Sequence, residues 1–79
     1  MKVVKSVLDL IGETPIIDLS EYLGANIYGK CEFLNPAGSI KDRIGKRMIE
    51  DAEEKGLLVK GMDICEPSSG NTGIALSMV

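Results

Sequence analysis

The sequence has no histidine and no tryptophan, and its two cysteines form no Cys-x-x-Cys pair. The first absence excludes a zinc site built on His and Cys, and two cysteines are too few for a disulfide framework. Long apolar runs are also missing. The longest charge-free stretch, Pro67–Val79, falls short of the ~20 apolar residues that span a bilayer. Asp9 interrupts the apolar stretch after the two N-terminal lysines, and no small-residue cleavage site follows, so no signal peptide is expected. Nine Lys plus Arg stand against twelve Asp plus Glu, with two Tyr and one Phe. That balance offers nucleic acid no basic footprint and no stacking platform. What is left is a reducing, cytoplasmic, globular polypeptide.

The chain is short as well. Ordering 79 residues costs on the order of 100 kcal/mol of conformational entropy. Chains of this size bury only ~60% of the surface they expose when unfolded. Such a fold is marginal.

Nine Gly and three Pro punctuate what is there. Ser6–Leu10 reads as a brief helix with an N-cap serine, ending at Gly12. Pro15–Leu19 is an extended run, since Pro15 keeps its predecessor out of the helical region. Ser20–Gly24 is one turn, Ala25–Leu34 a strand with β-branched and aromatic residues, and Asn35–Gly38 a tight turn. Ile40, Ile44, Met48 and Ala52 recur every four residues, which predicts an amphipathic helix over Ser39–Lys55 closed by Gly56. Its acidic run, Glu50 to Glu54, is the wet face, and Met48, Met62 and Met78 are core fillers. Met62–Glu66 reads as a strand, Pro67–Gly70 as a loop, and a second helix runs from Asn71 or Thr72 to Val79. Cys31 and Cys65 both fall on expected strands as buried, reduced thiols.

Strand alternating with helix is the grammar of a parallel α/β layer. Two or three parallel strands do not make a self-sufficient sheet. The apolar final helix also ends with no capping residue. The expectation is therefore one unit, residues 1–79, cut inside a helix of a larger domain.

Two segments carry chemistry. In Asn35-Pro-Ala-Gly-Ser-Ile-Lys-Asp-Arg43 a turn feeds a helix with Lys41 in its first turn. Taken alone, Lys41 is a solvated surface charge, as most lysines are. The helix N-terminus disfavours a cation there, and that field, with Arg43 nearby, would favour the neutral amine that Schiff-base chemistry requires. In Glu66-Pro-Ser-Ser-Gly-Asn-Thr-Gly73, hydroxyls, an amide and backbone N–H groups open a helix, a ready site for a carboxylate or phosphate. The plain alternative is an ordinary N-cap in which Ser69 or Asn71 closes the last helix.

These two segments, preceded by Leu10-Ile-Gly-Glu-Thr-Pro15, resemble in order the N-terminal motifs of the cysteine synthase and cystathionine β-synthase family. Glu13 stands where the family often has Asn, and Ser68 where Thr is frequent. The resemblance implies the N-terminal fragment of an α/β fold, the pyridoxal-phosphate fold type II of the tryptophan synthase β-subunit type, in which two domains sandwich the cofactor. It implies pyridoxal 5'-phosphate bound as a Schiff base by Lys41, with Asn71 on the cofactor's 3'-oxygen. Ser68, Ser69, Asn71 and Thr72 would line the amino-acid substrate, whose carboxylate the loop grips. The reaction implied is β-replacement or β-elimination on a serine-like or cysteine substrate. Cysteine synthesis from O-acetylserine and sulfide comes first; cystathionine β-synthase, hydrogen-sulfide-producing and lanthionine-forming relatives share the motifs. The family's phosphate loop lies beyond Val79, so the 79-residue chain alone is expected to be inactive. A homodimer when complete, or a complementing chain carrying the rest, is the expected assembly. A truncated, non-catalytic interaction subunit is the alternative from another class.

Overall fold

Local signals start and stop most of the elements in the computed structural model, which describes residues 1–79. Ser6 Oγ accepts from Leu8 N and caps a 3-10 turn over Val7–Leu10. Strand β1 (Ile16–Asp18) follows Pro15, and β2 (Tyr28–Lys30) returns alongside it. They pair antiparallel with Ile16 opposite Lys30 and Asp18 opposite Tyr28. The connection between them holds the one-turn helix α1 (Ser20–Leu23). Asp18 Oδ1 accepts from Ser20 N at 2.9 Å, and Gly24 ends the turn at φ +68°. A second 3-10 turn (Glu32–Leu34) leads to the Asn35–Gly38 turn.

Helix α2 spans Lys41–Glu54, two residues shorter at its start and one at its end than the spacing predicts. Ser39 and Ile40 form a tighter turn ahead of it, with Lys41 N donating to Ser39 Oγ and Asp42 N to Ser39 O. At the far end Leu57 N reaches Ala52 O and Gly56 N reaches Glu53 O. This is the Schellman closure that Gly56 permits at φ +73°. Helix α3 spans Asn71–Met78. No helix is long and apolar enough to cross a membrane.

Several expectations are corrected. The two strands form an antiparallel hairpin, and no parallel layer is present. A connection as short as residues 19–27 returns the chain beside itself, whereas parallel pairing needs a crossover of a dozen residues or more. Met62–Glu66 is irregular, because no other strand lies beside it to complete a ladder, and of Ala25–Leu34 only Tyr28–Lys30 pairs. Cys31 is buried as expected, but Cys65, carried on that irregular segment, is exposed; both are free thiols.

A further correction concerns which face of α2 turns inward. Ile40, Ile44 and Met48 remain 53%, 44% and 40% exposed, and Met62 is exposed too. The buried positions of α2 are Asp42 and Gly45. Gly45 lies against Ala75 of α3, so closely that a Cβ there would stand 3.1 Å from Ala75 Cβ and 3.4 Å from its carbonyl carbon. Small residues let the two backbones approach, and a bulky stripe would hold them apart.

Only six of the 79 residues are buried, while twenty large apolar side chains stay exposed. The chain by itself is therefore expected to melt without a cooperative transition, since so little burial does not offset the ordering entropy. A single sharp calorimetric transition from the 79-residue chain, with dispersed amide signals, would contradict this.

Candidate active site

Three of the six buried residues, Thr14, Asn35 and Asp42, are polar, and all three surround the turn that carries Lys41. Asn35, Pro36 and Gly38 occupy their favoured first, second and fourth turn positions, and Gly38 N donates to Asn35 O at 2.8 Å. Gly38 takes φ +93°. Asp42 Oδ2 accepts from Ala37 N at 2.7 Å and pins the middle of the turn to the start of α2. Its side chain is fully buried, and Oδ1 has no partner.

Lys41 is the first residue of α2 and is exposed. Arg43, expected near the Lys41 amine, is paired elsewhere. Two residues on, it points about 200° around the helix, where Nε and Nη2 each lie 2.8 Å from the Glu32 carboxylate. Glu32 also accepts from Thr14 Oγ1 at 2.6 Å and Asn35 Nδ2 at 2.8 Å. The Arg43 guanidinium above all, then Thr14, holds the Glu32 carboxyl far below the usual carboxylate range, against a smaller opposing effect of burial. Glu32 reciprocally raises Arg43. Asn35 Oδ1 accepts from Gly12 N at 2.8 Å, and Lys30 Nζ donates to Thr14 O. Gly12 sits at φ +83°, where a Cβ would also come within 2.9 Å of Arg43 Nη1.

Sequence reasoning missed this knot. Its one cue was an acid, Glu32, placed between Cys31 and Phe33-Leu34. Partners 18 and 11 residues away are invisible to local pattern.

The Pro67–Gly73 loop opens α3. The expected capping by Ser69 or Asn71 does not occur: Gly70 holds the N-cap position with no side-chain cap. Ser68 does the work instead, its Oγ accepting from Gly70 N at 3.3 Å and Gly73 N at 3.1 Å. Ser69 and Asn71 are exposed, Thr72 is half-buried, and their side chains make no hydrogen bond within the chain. The N–H groups of Asn71 and Thr72, at the first turn of α3, also have no carbonyl partner. Ser68, Ser69, Gly70 and Gly73 line an open recess of about 500 Å³.

The packing of α2 on α3 brings the two segments to one end. Beyond the Gly45–Ala75 contact, Ile49 and Glu53 line the same recess as Leu76 and Val79, so the helices run in the same direction. Lys41 and Asn71 each lie four residues before that contact, about 6 Å of helix rise. The site thus places an exposed amine at one helix start and uncommitted hydroxyls, an amide and free N–H groups at the other. A Cβ added at Gly38 or Gly70 would meet nothing within 4 Å. These donors and this open space fit a group that is both an aldehyde and an anion.

A family model described as "Pyridoxal-phosphate dependent enzyme" matches residues 7–79. Cystathionine beta-synthase of Apis mellifera is 55% identical over 98% of this chain and 16% of its own length. The probable cysteine synthase of Bacillus subtilis is 49% identical over 99% of this chain and 26% of its own. The crystal structure of a hydrogen sulfide-producing enzyme from Fusobacterium nucleatum superposes with a TM-score of 0.87 at 48% identity, covering 99% of this chain and 26% of that one. The chain therefore spans about a sixth to a quarter of the length of the proteins it matches.

Proposed function

Because this chain belongs to the pyridoxal-phosphate-dependent enzyme family, we propose that it supplies the lysine and the substrate loop for β-replacement on a serine-like amino acid. Its fold is that of the N-terminal part of fold type II. Cysteine formation from O-acetylserine and sulfide is the reaction we assign, in the cytoplasm, by an enzyme that contains this segment. The second reading is cystathionine β-synthase chemistry, which the 55% identical relative supports.

Pyridoxal phosphate, when bound, supplies the electron sink that makes the amino acid's α-proton removable. Lys41 would hold it through the exposed amine at the start of α2. As a free amine, Lys41 Nζ would take the proton from the substrate's Cα. It returns a proton to Cα after the sulfur nucleophile has added. Ser69, Thr72 and the free N–H groups of α3 bind the substrate carboxylate, which the positive helix end favours. Ser68 accepts two N–H groups and shapes the loop, with its own hydroxyl hydrogen left to donate. Asn71 donates to the cofactor's ring oxygen.

One observation carries this reading. Ser68 takes over the capping role, so Ser69 and Asn71 are left uncommitted beside free N–H groups. A non-catalytic subunit would have no use for those donors next to an exposed lysine.

Mutation should separate the two roles. Ser69→Ala removes a donor to an anion, a loss of about 1.5–3 kcal/mol, or roughly 10- to 150-fold in substrate affinity. It leaves the resting cofactor spectrum intact. Asn71→Ala shifts that spectrum before any substrate is added. Spectral titration of both variants with O-acetylserine decides the matter. Equal behaviour, with only the melting temperature altered, would sink the assignment.

A further inference from the structure

One carboxylate grips both ends of the segment that carries Lys41. Glu32 Oε2 accepts from Asn35 Nδ2, at the first residue of the turn, and from Arg43 Nε, two residues past Lys41, each at 2.8 Å. Glu32 Oε1 accepts from Arg43 Nη2 at 2.8 Å and from Thr14 Oγ1 at 2.6 Å. The Glu32 side chain is only 15% exposed, so water is a poor substitute for these donors. Asn35 passes the constraint on, holding Gly12 N through Oδ1. Within the turn, Asp42 holds Ala37 N. The backbone from Asn35 to Arg43 is thereby tied at both ends and in the middle.

We propose that Glu32 is a positioning residue for Lys41, an inference that rests on reading Lys41 as the lysine that holds the cofactor. Glu32 need touch neither the cofactor nor the substrate. It sets the start of α2, and so the place of the Lys41 amine relative to the start of α3. Bidentate pairing fixes both distance and orientation of the guanidinium, which a single point contact does not. A displacement of about 1 Å at a reacting group costs on the order of 100-fold in rate, so a small slackening of this clamp is measurable.

The test uses the pyridoxal-phosphate-loaded enzyme that contains this segment. Glu32→Gln keeps the shape but turns an amide NH2 toward donors and removes the charge that faces Arg43. Arg43→Lys keeps the charge and loses the fork. Three results are expected from each variant: a shifted absorption maximum of the bound cofactor, borohydride trapping at Lys41 slowed about tenfold or more, and kcat lowered about 10- to 100-fold with KM within roughly twofold. If Glu32→Gln does not fold, Arg43→Lys is decisive on the same readouts. Wild-type absorption, trapping rate and kcat with only a lower melting temperature would make the knot a structural staple and overturn the inference. Trapping of wild-type enzyme at a lysine other than Lys41 is a different result, and overturns the reading of Lys41 itself.

Discussion

Lys41→Ala in the enzyme that contains this segment is expected to abolish covalent cofactor attachment and to lower turnover by about 10²–10⁴-fold, the range for a lost proton-transfer group. The structure distinguishes Lys41 from other lysines by the place it takes. Lys2 pairs with Glu13 at 2.7 Å, Lys46 with Glu50 at 3.8 Å and Lys55 with Asp51 at 3.0 Å, while Lys30 donates to Thr14 O. Lys41, like Lys5 and Lys60, has no such partner, and of these three only Lys41 opens a helix, at the end shared with Asn71. Borohydride reduction of the wild-type enzyme followed by peptide mapping should place the pyridoxyl group on Lys41. Label on Lys46 or Lys55 would overturn the assignment. Lys41→Ala should still bind the cofactor without the covalent bond, since Asn71 and the loop are untouched; dialysis against buffer then removes it faster than from wild type.

Gly45→Leu is the second large effect, and it acts at a distance from any reacting atom. Even a lone Cβ at this position meets Ala75 Cβ at 3.1 Å and the backbone beyond it at 3.4 and 3.5 Å. A backbone neighbour does not rotate out of the way, so α3 must move. Overpacking of this kind costs about 1–3 kcal/mol in stability. The displacement also shifts Asn71 relative to Lys41, because both count their place from this one contact. Turnover should fall on the order of 100-fold, with the cofactor spectrum altered as in Asn71→Ala. Gly45→Leu enzyme with wild-type melting temperature and turnover would show that the helices do not set the site's geometry.

The sequence by itself determined the two functional segments, because their chemistry is local. Asn35-Pro-Ala-Gly38 turns through proline's fixed φ and glycine's positive φ, and Lys41 is the residue such a turn delivers to a helix start. Pro67–Gly73 breaks and restarts the chain with small polar residues, and α3 begins at Asn71, as read. Gly56 closes α2 by the same kind of backbone rule. Tertiary structure decided everything that depends on a partner far along the chain. Periodicity marked Ile40, Ile44 and Met48 as one face of α2, but it carries no information about which face is covered. Close backbone approach selected Gly45 and Ala75 instead. The Met62–Glu66 segment has strand-like residues and no ladder, since a strand exists only against another strand. Capping passed from Ser69 or Asn71 to Ser68 because the fold of the loop, and not residue type, sets which hydroxyl faces the free N–H groups. Glu32 illustrates the limit most clearly: beside its neighbour Asn35, it becomes a hub only when Thr14 and Arg43 are brought to it in space.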